Sequence, residues 1–311
     1  MRRFILLSTL CLAAGVVSAC KPDEEIASPV EPKAGIRFIN AVPDTGAANG
    51  LDFRFVDIVE NSSAYNIPFR NLPQTTAGVT ASALIQFKPA KVGARHFRIF
   101  LSDTLQSVAS VVLKDSTLNL EATHNYTLLL WGNARSTDPA TRMRLSVIDE
   151  TVPDPTTSVA LRVINTTTSA IDVRQYVSSG AAPTDASWAN LAGLSISTYQ
   201  QVAPAQIKFN VRPAGTPTAL FTDPLALVGQ GVGTTEKDAG GCKVGVDCIA
   251  TPGTTVAGSA VTLIVFPAYV AGSKAAASAT SPAGTISFAT PGSSFMWDRR
   301  PPGTCTVAFG C

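Results

Sequence analysis

His96 and His124 are the only two histidines in the 311 residues. A Ser-His-Asp arrangement needs an imidazole held between an acid and a hydroxyl. His96 falls in a predicted strand and His124 in a predicted turn, and both are expected to face solvent or a polar neighbour. Asp52 and Asp172 stand at matching places in two similar stretches. Such a pair could serve a shared ligand or a calcium ion, but an aspartate at a strand start more simply accepts backbone N–H groups. Asp23-Glu24-Glu25 is a carboxylate cluster in a proline-rich stretch, where solvation explains it. Gly229-Gln230-Gly231-Val232-Gly233 lacks the lysine and the strand-to-helix setting of a phosphate loop, so it reads as a flexible connection. Trp297 is expected to pack the end of the last strand, which Pro301 and Pro302 then stop. The residues point to no catalytic group, metal or cofactor. The sequons at Asn61, Asn125 and Asn165 matter only in a eukaryotic secretory route.

The thiols are more informative. Arg2 and Arg3 precede an apolar run of 14 residues, Phe4 to Val17. A membrane-spanning helix needs about 20 such residues, so residues 1–19 read as a signal peptide. Val17-Ser18-Ala19-Cys20 ends the run, and this segment resembles the bacterial lipobox. The resemblance implies that Cys20 receives a diacylglycerol, that the chain is cut before it, and that the new amino group is acylated. Several acyl chains hold firmly to a bilayer where one alone binds marginally. Lys21 occupies the position where aspartate would signal inner-membrane retention, which favours the outer membrane by analogy. Residues 22–33 contain three prolines and almost no apolar pattern, so residues 20–33 form a lipidated tether. Twelve residues of polyproline II reach roughly 37 Å.

Four further cysteines remain: Cys242, Cys248, Cys305 and Cys311. Their spacing does not suit zinc, and an exported chain meets an oxidising compartment. Disulfides are therefore expected, with three pairings open. The local one, Cys242 with Cys248 and Cys305 with Cys311, is preferred. A crossed pairing would staple the tail 301–311 onto a loop.

These groups are carried on a chain that repeats itself. Ile36-Arg37-Phe38-Ile39-Asn40 is matched by Leu161-Arg162-Val163-Ile164-Asn165, and Leu51-Asp52-Phe53-Arg54 by Ile171-Asp172-Val173-Arg174. His96-Phe97-Arg98-Ile99-Phe100 corresponds to Lys208-Phe209-Asn210-Val211-Arg212, and Tyr126 to Trp131 corresponds to Val261 to Phe266. A period above 100 residues means tandem globular domains rather than a solenoid. Short runs of branched and aromatic residues, punctuated by Gly, Pro, Asn, Asp and Thr every 8–12 residues or so, predict antiparallel sandwiches. Ala83 to Phe87 and Met143 to Val147 alternate as half-buried strands do. The expected fold is all-β: two tandem antiparallel immunoglobulin-like β-sandwich domains, 34–152 and 158–300, behind a lipoprotein signal peptide and a short tether. The junction 151–157 reads as a linker with few contacts across it, so that 34–152 should fold alone. Glu121 to Asn125 in the first copy is replaced in the second by an inserted loop, 229–259, rich in Gly and Thr. Asp238, Lys243 and Asp247 in that loop are the candidate ligand residues.

Arg37-Phe38-Ile39-Asn40-Ala41-Val42-Pro43-Asp44, the later Leu51-Asp52-Phe53-Arg54 and the tandem order behind a lipobox resemble a bacterial family of extracytoplasmic domains of unknown function, DUF4397. Asn40 stands where many members carry histidine, and Asn165-Thr166-Thr167-Thr168 has lost the Pro-Asp turn. The resemblance covers roughly 34–150 and 158–300. It implies tandem β-sandwiches on a cell-surface or periplasmic lipoprotein and carries over no catalytic residues.

Lys and Arg total 24 against 22 Asp and Glu, and removing Arg2 and Arg3 with the signal brings the mature charge to zero. That excludes the basic footprint of a nucleic-acid binder. The expectation is a non-enzymatic envelope lipoprotein. Its contacts are the membrane, through the lipid, and a protein or glycan partner, with no oligomeric state indicated. The alternative is a hydrolase whose site the residues do not assemble. Cys20→Ser should release the protein from membranes. Persistence of the variant in a detergent-requiring fraction after high-salt washing would exclude the lipid anchor.

Overall fold

The computed structural model describes residues 31–44, 51–58, 65–67, 87–101, 106–229, 252–268, 270, 290–299 and 301. In β7 (Asn125–Trp131) six consecutive residues, Tyr126 to Trp131, are buried. A strand shows that pattern only when both its faces are covered. β1 (Lys33–Asn40) runs parallel to β7 at the centre of a four-stranded sheet. β4 (Lys88–Lys91) flanks β1 and β8 (Arg144–Asp149) flanks β7. A second sheet has the order β3 (Tyr65–Ile67), β2 (Leu51–Phe55), β5 (Gly93–Leu101), β6 (Val112–Leu120). Alternate residues of the two sheets, among them Ile36, Phe38, Phe53, Phe97, Ile99 and Leu128, form one apolar core. The rings of Phe38 and Phe97 stack within it at 5.7 Å. A four-residue helical turn, Gln106–Ala109, precedes β6.

The second repeat is paired the same way. β9 (Val159–Asn165) runs parallel to β15 (Ala260–Phe266), and β16 (Gly292–Arg299) lies on the far side of β15. Two short strands, β12 (Ser195–Ile196) and β13 (Gln200–Val202), pair with β9. The second sheet of this repeat has the order β11 (Trp188–Leu191), β10 (Ile171–Val177), β14 (Ile207–Pro213). Registers coincide between the repeats: Phe53 faces Ile99 as Val173 faces Val211, and Ile36 adjoins Tyr126 as Leu161 adjoins Val261. The sequence repeat is therefore a repeat of strand pairing. One parallel pair per repeat is the departure from a fully antiparallel sandwich; the other pairs of described strands are antiparallel. Where the first repeat has β6, the second has an irregular segment. The N–H groups of Leu220 and Ala226 donate to the carbonyls of Val211 and Ile207 (both 2.8 Å), and Ala226 and Leu227 fill the core.

The expectation of few contacts across the junction fails. β1, β7, β9 and β15 are buried on both faces, and their second faces meet. Ile39, Ala41, Leu129 and Trp131 of the first repeat pack with Ile164, Leu194, Ile264, Phe266 and Met296 of the second. The described residues from Lys33 onward belong to a single unit. Within the junction, Asp154 Oδ2 accepts from Arg299 Nη2 at 2.6 Å, and Pro155 is buried.

The expected exposed loop is also shorter than 229–259. Thr254 and Ser259 are fully buried. The Thr254 N–H donates to the Leu227 carbonyl (2.7 Å), and its own carbonyl accepts from the Ala205 N–H (2.8 Å). A Cβ on Gly253 would lie 2.2 Å from the Gly229 nitrogen, so only glycine allows that approach. Residues 252–259 cover the end of the core before the chain enters β15, which is why they cannot be solvent loop. Ala83 to Gln86, Cys20, Asp238, Cys242, Lys243, Asp247, Cys248, Cys305 and Cys311 lie outside the described residues.

Candidate functional site

Among the described residues, the largest collection of buried charge lies where the two repeats meet. Arg37 sits in mid-β1 on the face opposite Phe38, and Arg162 sits at the matching place in β9. Each guanidinium Nε donates to a threonine on the neighbouring parallel strand, Arg37 to Thr127 Oγ1 and Arg162 to Thr262 Oγ1, both at 2.7 Å. Each threonine hydroxyl donates in turn to a carboxylate, Thr127 to Glu150 and Thr262 to Asp298. The two arginines share the two acids. Arg37 Nη2 reaches Glu150 Oε1 at 2.7 Å and Asp298 Oδ1 at 2.6 Å. Arg162 Nη2 lies 2.8 Å from Glu150 Oε2 and 3.2 Å from Asp298 Oδ1. An aromatic ring covers each guanidinium: Phe87 lies 4.4 Å from Arg37 and Tyr199 lies 4.7 Å from Arg162.

These groups are almost wholly shielded; the side chains of Glu150 and Asp298 are 1% and 0% exposed. Burial pushes the Asp298 carboxyl upward, but Arg162, Arg37 and the Thr262 hydroxyl outweigh it and hold it below its usual range. Burial likewise works against charge on Arg162, and Asp298, Tyr199 and Glu150 outweigh it. Burial raises the Tyr199 phenol, which stays protonated. Two positive and two negative charges thus close on one another. Arg37 and Glu150 come from the first repeat and Arg162 and Asp298 from the second, so the cluster joins the repeats.

The residues of the opening motif are spent on the same architecture. Asn40 Oδ1 accepts from the Val42 N–H at 3.1 Å, and the Asp44 carboxylate accepts from the N–H groups of Ala134 (2.7 Å) and Arg135 (2.9 Å). In the second repeat Asn165 Oδ1 accepts from the Thr167 N–H at 3.1 Å, and Asn165 Nδ2 donates to the carbonyls of Ser169, Leu191 and Ala192. Asp172 accepts from the N–H groups of Asn190 (2.8 Å) and Gly215 (3.0 Å), which hold its carboxyl below the usual range. Asp52 accepts from Arg54 instead, at 2.5 Å. The two aspartates share a register position and do different work.

The histidines lie on the surface and pair with different carboxylates. On the outer face of β5, His96 Nε2 is 2.6 Å from Asp115 Oδ1, and Arg98 Nε donates to the other oxygen of Asp115 at 2.7 Å. His124 follows the turn after β6; its Nδ1 is 2.8 Å from Asp149 Oδ2 and its Nε2 is 3.7 Å from Glu121. The Asp149 contact holds the His124 proton to higher pH than usual. Next to this surface, Arg95 is fully buried over Phe55 at 4.4 Å and binds Asp57 and the Ile58 carbonyl. Burial raises the Asp57 carboxyl, but hydrogen bonds from Arg95 and the N–H groups of His96 and Ile58 prevail and bring it to about 2. Among the described residues, no three His, Cys, Asp or Glu side chains group as metal ligands.

The pairing defines an all-β, β-sandwich-like protein built from two matching halves. Residues 34–176 match the model of a family described as "Domain of unknown function (DUF4397)", and that stretch is a member of it. The match spans the first repeat, the junction and most of β10. No curated protein matches the chain.

Two outcomes follow. Asp298→Asn leaves two buried arginines on one carboxylate, and removing one partner of a buried pair costs about 3–5 kcal/mol. Because the Asp298 pKa is depressed, its stabilisation is present above the ordinary value of 3.8 and is lost as pH falls through the folded value. Acid denaturation curves should show a lower plateau and a shallower acid limb for the variant. For His124 the sign is opposite, since a raised pKa stabilises below the ordinary 6.5 and fades as pH rises through the folded value. An NMR titration should show the His124 midpoint falling in Asp149→Asn; an unmoved midpoint contradicts the pairing.

Proposed function

We propose that the chain is a non-enzymatic lipoprotein of the cell envelope, held to the outer membrane through Cys20. Its fused sandwiches serve as a binding or accessory structural module for a protein or glycan partner. The observation that carries this reading is where the reactive side chains are spent. Arg37, Arg162, Glu150 and Asp298 neutralise one another out of reach of any substrate. Arg95 and Asp57 fasten the segment after β2, and Asp44 and Asp172 hold backbone N–H groups. The lipobox-like segment and the tether supply the anchor and the reach.

His124 is the observation nearest to the hydrolase alternative, because an imidazole with its Nδ1 on a carboxylate is how a general base is oriented. Its other nitrogen, Nε2, faces the Glu121 carboxylate at 3.7 Å, where a triad would place the hydroxyl of a nucleophile. The test compares the lipidated protein with a His96→Ala, His124→Ala double variant. Both should show no turnover of ester, peptide or glycoside substrates above background and should bind outer-membrane vesicles and isolated cell-wall material equally. Turnover by the parent that collapses in the double variant would establish the enzyme reading.

A further inference from the structure

The joint between the repeats is assembled twice from the same parts. Register places Arg37 with Arg162, Thr127 with Thr262, and Ile39 with Ile164 as equivalents. Leu129 matches Ile264, and Trp131 matches Phe266. Glu150 and Asp298 each lie two residues beyond the partner of the joint threonine, Ile148 and Met296 respectively. Equivalent patches meeting face to face are what a twofold axis produces between two copies of one subunit. Here covalent linkage has made that contact internal.

A patch of this kind complements itself. Each contributes one arginine, one carboxylate, one threonine and an apolar surround, so any two patches close with no net charge. Arg37 and Arg162 already treat Glu150 and Asp298 alike, reaching both within 3.2 Å. The longer side chain of Glu150 serves as well as that of Asp298, and Trp131 and Phe266 share one role. We propose that the joint face of the first repeat recognises the same face on a second copy of this chain whenever its own second repeat is not seated on it. In that contact Arg37 of each copy binds Glu150 of the other. The closed chain stays single because a short linker gives the internal partner an effective concentration in the millimolar range.

The test uses the full chain carrying Ile164→Lys and Ile264→Lys, which spoils the second repeat's face and uncovers the first's. Sedimentation velocity should give the mass of two chains. Adding Arg37→Glu should return it to one, because four carboxylates would then meet. A dimer formed by exchange of repeats needs one intact face of each kind and cannot form in this background, so the dimer must pair like with like. The reciprocal variant, Ile39→Lys with Leu129→Lys, uncovers the second repeat and should dimerise in a manner abolished by Arg162→Glu. Circular dichroism identifies whichever background keeps its β signal, and the result is read there. A folded background with the mass of one chain at every concentration overturns the proposal. So does a dimer indifferent to the arginine.

Discussion

An arginine in the middle of a strand buried on both faces must be neutralised where water does not reach. Arg37 and Arg162 both meet that condition, and the rest of the architecture answers it. A buried guanidinium without a partner costs more than the fold can spare. The nearest donors of compensation are the threonine one strand over and the acid just past or near the end of the next strand. One acid per repeat would balance one arginine, yet each arginine is bound to both acids. The four charges therefore come to rest only when the two faces are together.

The apolar residues and the charges divide the work. Each fully buried Ile, Leu or Phe contributes about 1.5–3 kcal/mol, and nine buried apolar residues line the joint. They drive association. Buried ion pairs rarely add net stability, because desolvation offsets their attraction. What the four charges supply is register: a slip of one residue along β1 or β9 would carry an arginine into an apolar core. On the outward sheet of the first repeat Arg54, Arg98 and His96 stay partly exposed, each paired with a carboxylate.

The strands that alternate were legible from sequence, and so was the duplication, because Leu51-Asp52-Phe53-Arg54 and its copy keep the same two-residue period. The joint leaves a fainter signal: a single arginine inside Ile36-Arg37-Phe38-Ile39 and again inside Leu161-Arg162-Val163-Ile164. A lone charge in a run that is otherwise apolar marks a second buried face. The acids leave no repeat in the sequence, because Glu150 just past β8 and Asp298 near the end of β16 have surroundings, Val147-Ile148-Asp149-Glu150 and Phe295-Met296-Trp297-Asp298, that share little but their register. Residues 252–259 read as loop because Pro, Gly and Thr there have no periodicity; Pro252 to Thr254, Gly258 and Ser259 are buried, and the backbone hydrogen bonds that hold the segment leave no mark in composition.

Scanning calorimetry of the intact chain tests the joint most directly. If two faces closed by four charges make the repeats one unit, the chain unfolds in one transition whose calorimetric and van't Hoff enthalpies agree. Two resolved transitions, each with the enthalpy of a single repeat, would show that the joint does not couple them and would contradict the account.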